Sequence, residues 1–293
     1  MKKTFFFNLI ILCTSIASFS QSVNYEVYAF RYASLGKPIP ISFLVMDGPD
    51  KDSVNAVFTI WLIKGSNGKN ILVDAGFLRD IAEAKDFGVT NYIRPDSMLL
   101  RIGLQAKDIT DIILTHPHWD HMDGVDLFPN AHIWLQKEDF NYFVGTAWQK
   151  SVMFGDKLIT SKGKKGGFNK RDVRKLLELN LADKLTLVEG DDVEIISGIK
   201  VYTGSRHTFN SQYVLVESGR DKIILASDNL YIYYNLEHLK SAAPNATFDT
   251  EGYAKSIVRM KALVSNIKFI IPGHDPAVFL RFPKIADGVV KIK

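Results

Sequence analysis

Of seven histidines in 293 residues, three fall within the segment His116-Pro117-His118-Trp119-Asp120-His121. Neutral imidazoles and ionised carboxylates both offer lone pairs to a divalent cation, so this density of them points to metal binding. The segment directly follows the apolar run Ile112-Ile113-Leu114, which places it in a loop at a strand end. There, His116-x-His118 lets two rings converge on one ion. Asp120 and His121, further around a turn favoured by Pro117 and Gly124, can face a second ion.

Three more candidates also follow β-rich runs: His207 after Val201-Tyr202-Thr203, Asp228 after Ile223-Ile224-Leu225-Ala226, and His274 after Phe269-Ile270-Ile271. Each alone would read as a capping or hydrogen-bonding residue. Together, on loops along one sheet edge, they supply the ligands that a two-metal site still needs. Two divalent ions can hold a bridging hydroxide, because coordination lowers the pKa of water to about 7. The chemistry expected is hydrolysis, with one ion polarising a carbonyl, the other receiving the developing alkoxide, and Asp120 relaying a proton to the leaving group.

Val57 to Ile63 and Asn70 to Asp74 read as a hairpin around Gly65-Ser66-Asn67-Gly68-Lys69. Short buried strands are expected at Ile112 to Leu114, His132 to Leu135, Lys184 to Val188, Val193 to Ile196, Lys200 to Tyr202, Tyr213 to Glu217 and Lys222 to Ala226. A last strand is expected at Ile267 to Ile271. Apolar residues recur at helical spacing over Arg171 to Leu181 and Thr250 to Ser265. Two groups of strands separated by helices predict an α/β (α+β) chain built as an αββα sandwich, two mixed sheets flanked by helices. The stretch 139–169 is rich in aromatics and lacks β alternation, and it reads as a helical insertion covering the site.

With 46% hydrophobic and 23% charged residues, the chain has the composition of a globular protein with ample core. Lys2-Lys3, the apolar run from Phe5 to Leu12, and small residues at Ser18-Phe19-Ser20 read as a signal peptide over residues 1–20, cleaved before Gln21. Export to the periplasm or beyond is the consequence, and the apolar run is too short for stable membrane insertion. The single cysteine, Cys13, leaves with that peptide, which excludes disulfides, thiolate ligands and a cysteine nucleophile. The formal charge of +4 is inflated by the terminal lysines and by Lys162-Gly163-Lys164-Lys165, so no nucleic-acid partner is inferred. Self-association into a homodimer is left open.

The pattern His116-x-His118-x-Asp120-His121, followed in order by His207, Asp228 and His274, resembles the metallo-β-lactamase superfamily over residues 21–293, read as one domain. The resemblance implies the αββα fold. It further implies that His116, His118 and His207 bind one metal, that Asp120, His121 and His274 bind the other, and that Asp228 bridges them. Asp74, in Leu72-Val73-Asp74-Ala75-Gly76, matches an early Asp motif of the superfamily and would orient a ligand. His132 and His238 match no ligand position. Mixed His/Asp ligation suits two zinc ions, although iron, cobalt or manganese would be accepted.

Among subfamilies, the β-lactamases are disfavoured by the missing cysteine ligand and by the bridging Asp228. Glyoxalase II-like enzymes carry a helical C-terminal portion, whereas only Asp275 to Lys293 follows His274, and the nuclease branches carry large extra domains. The chain looks closest to the quorum-quenching N-acyl-homoserine lactonases. Tyr231, three residues after Asp228, matches a tyrosine that contacts the lactone in that group, and Ile271-Pro272-Gly273-His274-Asp275 is also similar. The substrate implied is a small-molecule lactone with an apolar acyl chain, for which Phe143, Trp148, Met153 and Phe154 are candidate pocket residues. One departure stands out: where these lactonases have Gly-His-Thr-Pro-Gly-His-Gln, this chain has Arg206-His207-Thr208-Phe209-Asn210-Ser211-Gln212, with Ser211 in place of the second histidine. Other lactones, esters or thioesters, a metal oxygenase of the same fold, and a non-catalytic metal carrier are the competing readings.

Overall fold

Side-chain alternation along two long strands decides the architecture. A computed structural model describes residues 23–146 and 167–293, together with the backbone of two strands at 152–154 and 157–159. In chain order the principal strands begin with β1 (Tyr25–Leu35), β2 (Val57–Gly65), β3 (Asn70–Val73), β4 (Asp111–Ile113) and β5 (His132–Gln136). Next come β6 (Val152–Phe154), β7 (Lys157–Ile159), β8 (Leu185–Val188), β9 (Val193–Ile196) and β10 (Ile199–Tyr202). The series ends with β11 (Tyr213–Ser218), β12 (Asp221–Ser227), β13 (Ile270–Pro272), β14 (Lys284–Ala286) and β15 (Val289–Lys291). The helices are α1 (Ile41–Leu44), α2 (Ala82–Asp86), α3 (Pro95–Leu99), α4 (Trp119–Met122) and α5 (Lys137–Val144), followed by α6 (Lys170–Leu181), α7 (Tyr233–His238), α8 (Thr250–Leu263) and α9 (Val278–Arg281).

One sheet runs β8-β5-β4-β3-β2-β1-β15-β14 and the other β9-β10-β11-β12-β13. Both are mixed: β3, β4, β5 and β8 run parallel, as do β12 and β13, and the remaining pairs are antiparallel. In β2, Trp61 and Ile63 point into a core shared with the second sheet, while Ile60 and Leu62 point into a second core on the opposite face. A strand apolar on both faces must be covered on both. The first core is sheet against sheet, backed by Tyr253, Ile257 and Met260 of α8; the second holds Met98, Met122, Phe140 and Leu176 from helices α3 to α6. Helix, sheet, sheet and helix layers result, the αββα sandwich expected, with the hairpin pairing Ile63 with Ile71.

Three local expectations change. Residues Ile267–Phe269 form a 3-10 turn, because the Asn266 side chain accepts from Lys268 N at 3.0 Å, and β13 starts only at Ile270. Among the described residues of 139–169, the helical part is the overlap with α5, and β6 and β7 pair as an antiparallel hairpin, with β-branched Val152 opposite Ile159. The eleven-residue β1, absent from the sequence reading, lies inside the larger sheet between β2 and β15. The proposed signal peptide lies outside the described residues, and among those described no helix is long and apolar enough to cross a membrane.

Candidate metal centre

Every candidate ligand lies just beyond a strand end, on one edge of the sandwich. His116 follows β4, His207 follows β10, Asp228 follows β12 and His274 follows β13, while α4 carries Asp120 and His121. Gly124 lets α4 reach the loop after β3, since a Cβ there would lie 2.3 Å from the Ala75 carbonyl oxygen. Ala75 N donates to His121 O at 2.7 Å, closing that contact. Gly167, in left-handed backbone at φ +80°, lets the chain cross His118, whose ring leaves no room for a side chain.

The ligand atoms form two groups. His116 Nε2, His118 Nδ1 and His207 Nε2 lie 3.0–3.2 Å from one another. Three nitrogens at tetrahedral positions about 2.0–2.1 Å from one ion would stand about 3.3–3.4 Å apart, so this triangle is of the right size. Asp120, His121 and His274 make the second group. Asp228 faces both: its Oδ2 is 3.3 Å from His207 Nε2 and 3.9 Å from His116 Nε2, while its Oδ1 is 3.2 Å from His121 Nε2 and 2.8 Å from His274 Nε2.

On four of the rings the outward nitrogen has a partner. His116 Nδ1 lies 2.9 Å from Thr115 Oγ1, His121 Nδ1 2.8 Å from Asp74 Oδ2, His207 Nδ1 2.9 Å from Ala246 O, and His274 Nδ1 2.8 Å from Val57 O. Such acceptors hold the proton on Nδ1 and turn the Nε2 lone pair toward the centre. Asp74 is fully buried and also accepts from Thr115 N at 2.8 Å and Ser227 Oγ at 2.8 Å.

The electrostatics match a cation-binding role. Burial, reinforced by the neighbouring histidines, holds His116 well below the usual imidazole range, and burial with His207 takes His118 down to about 3. Burial likewise lowers His207. These rings are neutral donors. Burial opposes ionisation of Asp228, but His274, His121 and His207 hold its carboxyl well below the ordinary value. His121 and His274 are raised against the pull of burial, His121 by Asp120, Asp228 and Asp74, His274 by Asp228 and Asp120. Positive charge is therefore favoured among these carboxylates. His121 Nε2 and Asp228 Oδ1 are buried without a hydrogen bond, the state expected of atoms that need a cation between them. The donor set fits divalent metal, which the chain binds here.

A cavity of about 530 Å³ opens onto Asp120, His118, Asp228 and His274. Its apolar wall comes from Leu35, Ile39, Phe43, Phe58, Phe87 and Trp119, and residues 244–248 line it as well. Tyr231 lines it too: the hydroxyl donates to Ala246 O at 3.1 Å and lies 2.9 Å from His207 Nδ1. Burial and the nearby Asp228 push its phenol well above the usual range, so it stays a donor.

The expected acyl pocket needs revision. Phe143 is fully buried in the second core, 4.7 Å from Phe168, and does not line the cavity among the described residues. It sits three residues after Phe140 on α5, so both rings turn inward together. Trp148 lies outside the described residues, and Met153 and Phe154 lie on β6, whose side chains are also outside them. His132 bonds Thr186 Oγ1 at 2.7 Å and His238 is exposed on α7, both apart from the centre. Sequence reasoning missed Asp123, which accepts from Leu78 N at 2.8 Å and Arg171 Nε at 2.7 Å and anchors α4 to α6. Its partner lies 48 residues away, a distance no local pattern reports.

Residues 59–274 match the family described as the metallo-beta-lactamase superfamily. The N-acyl homoserine lactonase of Bacillus cereus is 25% identical over 249 residues, covering 77% of this chain and 88% of that protein. A mutant Bacillus thuringiensis lactonase with N-decanoyl-L-homoserine bound at its active site superposes with a TM-score of 0.65 at 20% identity, covering 89% of this chain and 96% of that one. The dizinc quorum-quenching lactonase AidC, in complex with its product, gives a TM-score of 0.61 at 18% identity, covering 86% and 88%.

Proposed function

The chain belongs to the metallo-β-lactamase superfamily, and from that premise we propose that it uses two metal ions to open the lactone ring of N-acyl homoserine lactones. It is a metal-dependent hydrolase; the proposal concerns the second ion, its identity as zinc, and the substrate. The observation that carries it is Asp228, whose two oxygens face separate ligand groups at the floor of a cavity with one apolar wall. That floor suits a polar ring, and the wall formed by Phe43, Phe87 and Trp119 suits an acyl chain. Lactonases among the relatives support this choice of substrate.

When bound, the metals supply Lewis acidity and an activated water nucleophile. The remaining steps belong to the chain. His116, His118 and His207 hold one side of the centre as neutral rings, and Asp74 keeps His121 turned inward. The Tyr231 hydroxyl, held at Ala246 O, can turn to donate to a lactone oxygen. Asp120, 3.2 Å from His121 Nε2 and on the cavity lining, is placed to pass a proton to the departing alkoxide. Water adds across the acyl–oxygen bond, leaving a carboxylate and a free hydroxyl.

A second reading, another lactone, ester or thioester, is favoured by the loop carrying His207. Ser211, which replaces a histidine, accepts from His207 N at 3.1 Å and donates to Asn229 Oδ1 at 2.7 Å, giving the loop its own internal tie. Hydrolysis rates for a panel of acyl homoserine lactones, simple lactones, aryl esters, a glutathione thioester and a β-lactam decide between them. Rapid turnover of only the last two would overturn the lactonase proposal. Metal analysis of the purified protein should find two zinc ions per chain. Export of the chain is also proposed, and N-terminal sequencing of the secreted form should begin at Gln21.

A further inference from the structure

We propose that Asp139 is a positioning residue of the metal centre, fixing the loop 207–212 so that His207 keeps its Nε2 toward Asp228. Asp139 is fully buried in the first turn of α5. Its Oδ2 accepts from Thr208 Oγ1 at 2.6 Å and its Oδ1 from Asn210 N at 3.1 Å, so it grips the residues that directly follow His207. Among the described residues no lysine or arginine pairs with it. A buried carboxylate without a cation is costly. Burial accordingly pushes its carboxyl up to about 6 against the bonds from Thr208, Asn210 and Phe209. The return on that cost is the hold on the loop.

The rest of α5 supports the same role. Gln136, at its N-cap, donates Nε2 to Gln212 Oε1 at 3.0 Å, and Tyr142 stacks on Phe209 with ring centroids 4.7 Å apart. Gln136, Asp139 and Tyr142 recur every three residues and form one helix face laid along the loop. Phe140 and Phe143 face the core instead. Within the loop, Ser211 ties His207 N from the other side. Asp139 thus adds a polar grip on the residues just after His207, whose ring is itself held at Nδ1 by Ala246 O.

The inference rests on His207 as a metal ligand, not on the substrate. Its test uses the full chain stripped of metal, titrated with zinc against a chromophoric chelator and with cobalt for its visible spectrum. Asp139→Ala should weaken metal binding about 10–100-fold and alter the cobalt bands, as loss of a ligand-orienting partner does. Asp139→Asn should stay within about threefold of wild type, since it returns an acceptor to Asn210 N and a donor to Thr208 Oγ1. Thr208→Val removes the shorter bond without opening a cavity and should weaken binding about tenfold; it decides the matter if Asp139→Ala does not fold. Wild-type affinity in Asp139→Ala or, where that variant does not fold, in Thr208→Val would overturn the proposal, as would an Asp139→Asn as weak as Asp139→Ala. If His207→Ala keeps full metal affinity, the ligand assignment itself fails, a distinct result.

Discussion

Asp74→Asn should disable one side of the metal centre and spare the other. Asp74 is fully buried with φ at 61°, a left-handed conformation that asparagine tolerates, so the exchange is isosteric and adds little backbone strain. The carboxylate accepts from Thr115 N, Thr115 Oγ1, Ser227 Oγ and His121 Nδ1, at 2.8 to 3.0 Å. In the amide, one oxygen can still serve Thr115 N, but the nitrogen takes the place of Oδ2. Ser227 can rotate its hydroxyl to accept, whereas His121 Nδ1–H cannot. Relief comes when the imidazole moves its proton to Nε2, the atom that faces Asp120 and Asp228. That nitrogen then has no lone pair for a metal. Loss of such an orienting partner costs about 10–100-fold in metal affinity, or about 1.4–2.8 kcal/mol. The triangle of His116, His118 and His207 has no contact with Asp74 beyond Thr115, so its ion should be retained. Zinc titration of the metal-free protein, followed by calorimetry, should show one phase preserved and the other weakened, with unchanged circular dichroism. Equal weakening of both phases, or of neither, would refute the tautomer reasoning.

Tyr231→Phe should lower kcat about 100-fold while leaving metal content intact, as expected for loss of one donor to a developing oxyanion; metal lost in step with activity would make the hydroxyl a prop for His207 Nδ1, 2.9 Å away. Phe43→Ala and Phe87→Ala, each about half exposed at the cavity wall, should erode the preference for long over short acyl chains measured as kcat/KM. Phe143→Ala should instead cost about 3–5 kcal/mol of stability with the preference unchanged, because its ring fills the core. Asp172 is buried, and burial, together with the charge of the Asp123 carboxylate and a hydrogen bond to it, takes it up to about 9. The folded state thus keeps a proton that the unfolded chain releases near its ordinary value of 3.8, so stability falls as pH rises between those values. Asp172→Asn should therefore raise Tm, and its advantage should widen from about pH 6 to pH 9, at about 2–4 °C for each kcal/mol. A gain that is flat with pH would show that Asp172 is not protonated in the native state.

The parts of the site that were legible in the sequence are those that chemistry and strand periodicity both mark. His116 to His121, His207, Asp228 and His274 are residue types suited to metals, and each follows an apolar run, so convergence at one sheet edge could be read before any coordinates. The cavity could not. Its wall draws on Leu35, Ile39, Phe43, Phe87 and residues 244–248, in separate segments that share no period. Aromatic density in 139–169 pointed to a pocket there, but Phe140 and Phe143 share the inward face of α5. Asp139 was hidden for another reason. An acidic residue in the first turn of a helix is ordinarily explained by the helix dipole, and only the fold shows it reaching loop 207–212, 69 residues onward.

The backbone around the ligands is held under strain. Asp74, Arg206 and Ser227 are non-glycine residues with φ between 50° and 61°, and each adjoins the centre: Asp74 orients His121, Arg206 precedes His207, and Ser227 precedes Asp228. Each such residue costs on the order of 1 kcal/mol and persists only where its surroundings over-determine it. At Ser227 the over-determination is visible, since its hydroxyl donates to Asp74 and lies 3.0 Å from Thr115 Oγ1. At Arg206 it is the carbonyl, which accepts from Phe248 N at 2.8 Å and Thr247 Oγ1 at 2.8 Å and so joins the His207 loop to the cavity wall. The strained residues that precede His207 and Asp228 are thus held by buried hydrogen bonds from the chain's own groups. Variants that loosen Asp74, Asp139 or Ser227 should consequently weaken metal affinity before they unfold the chain.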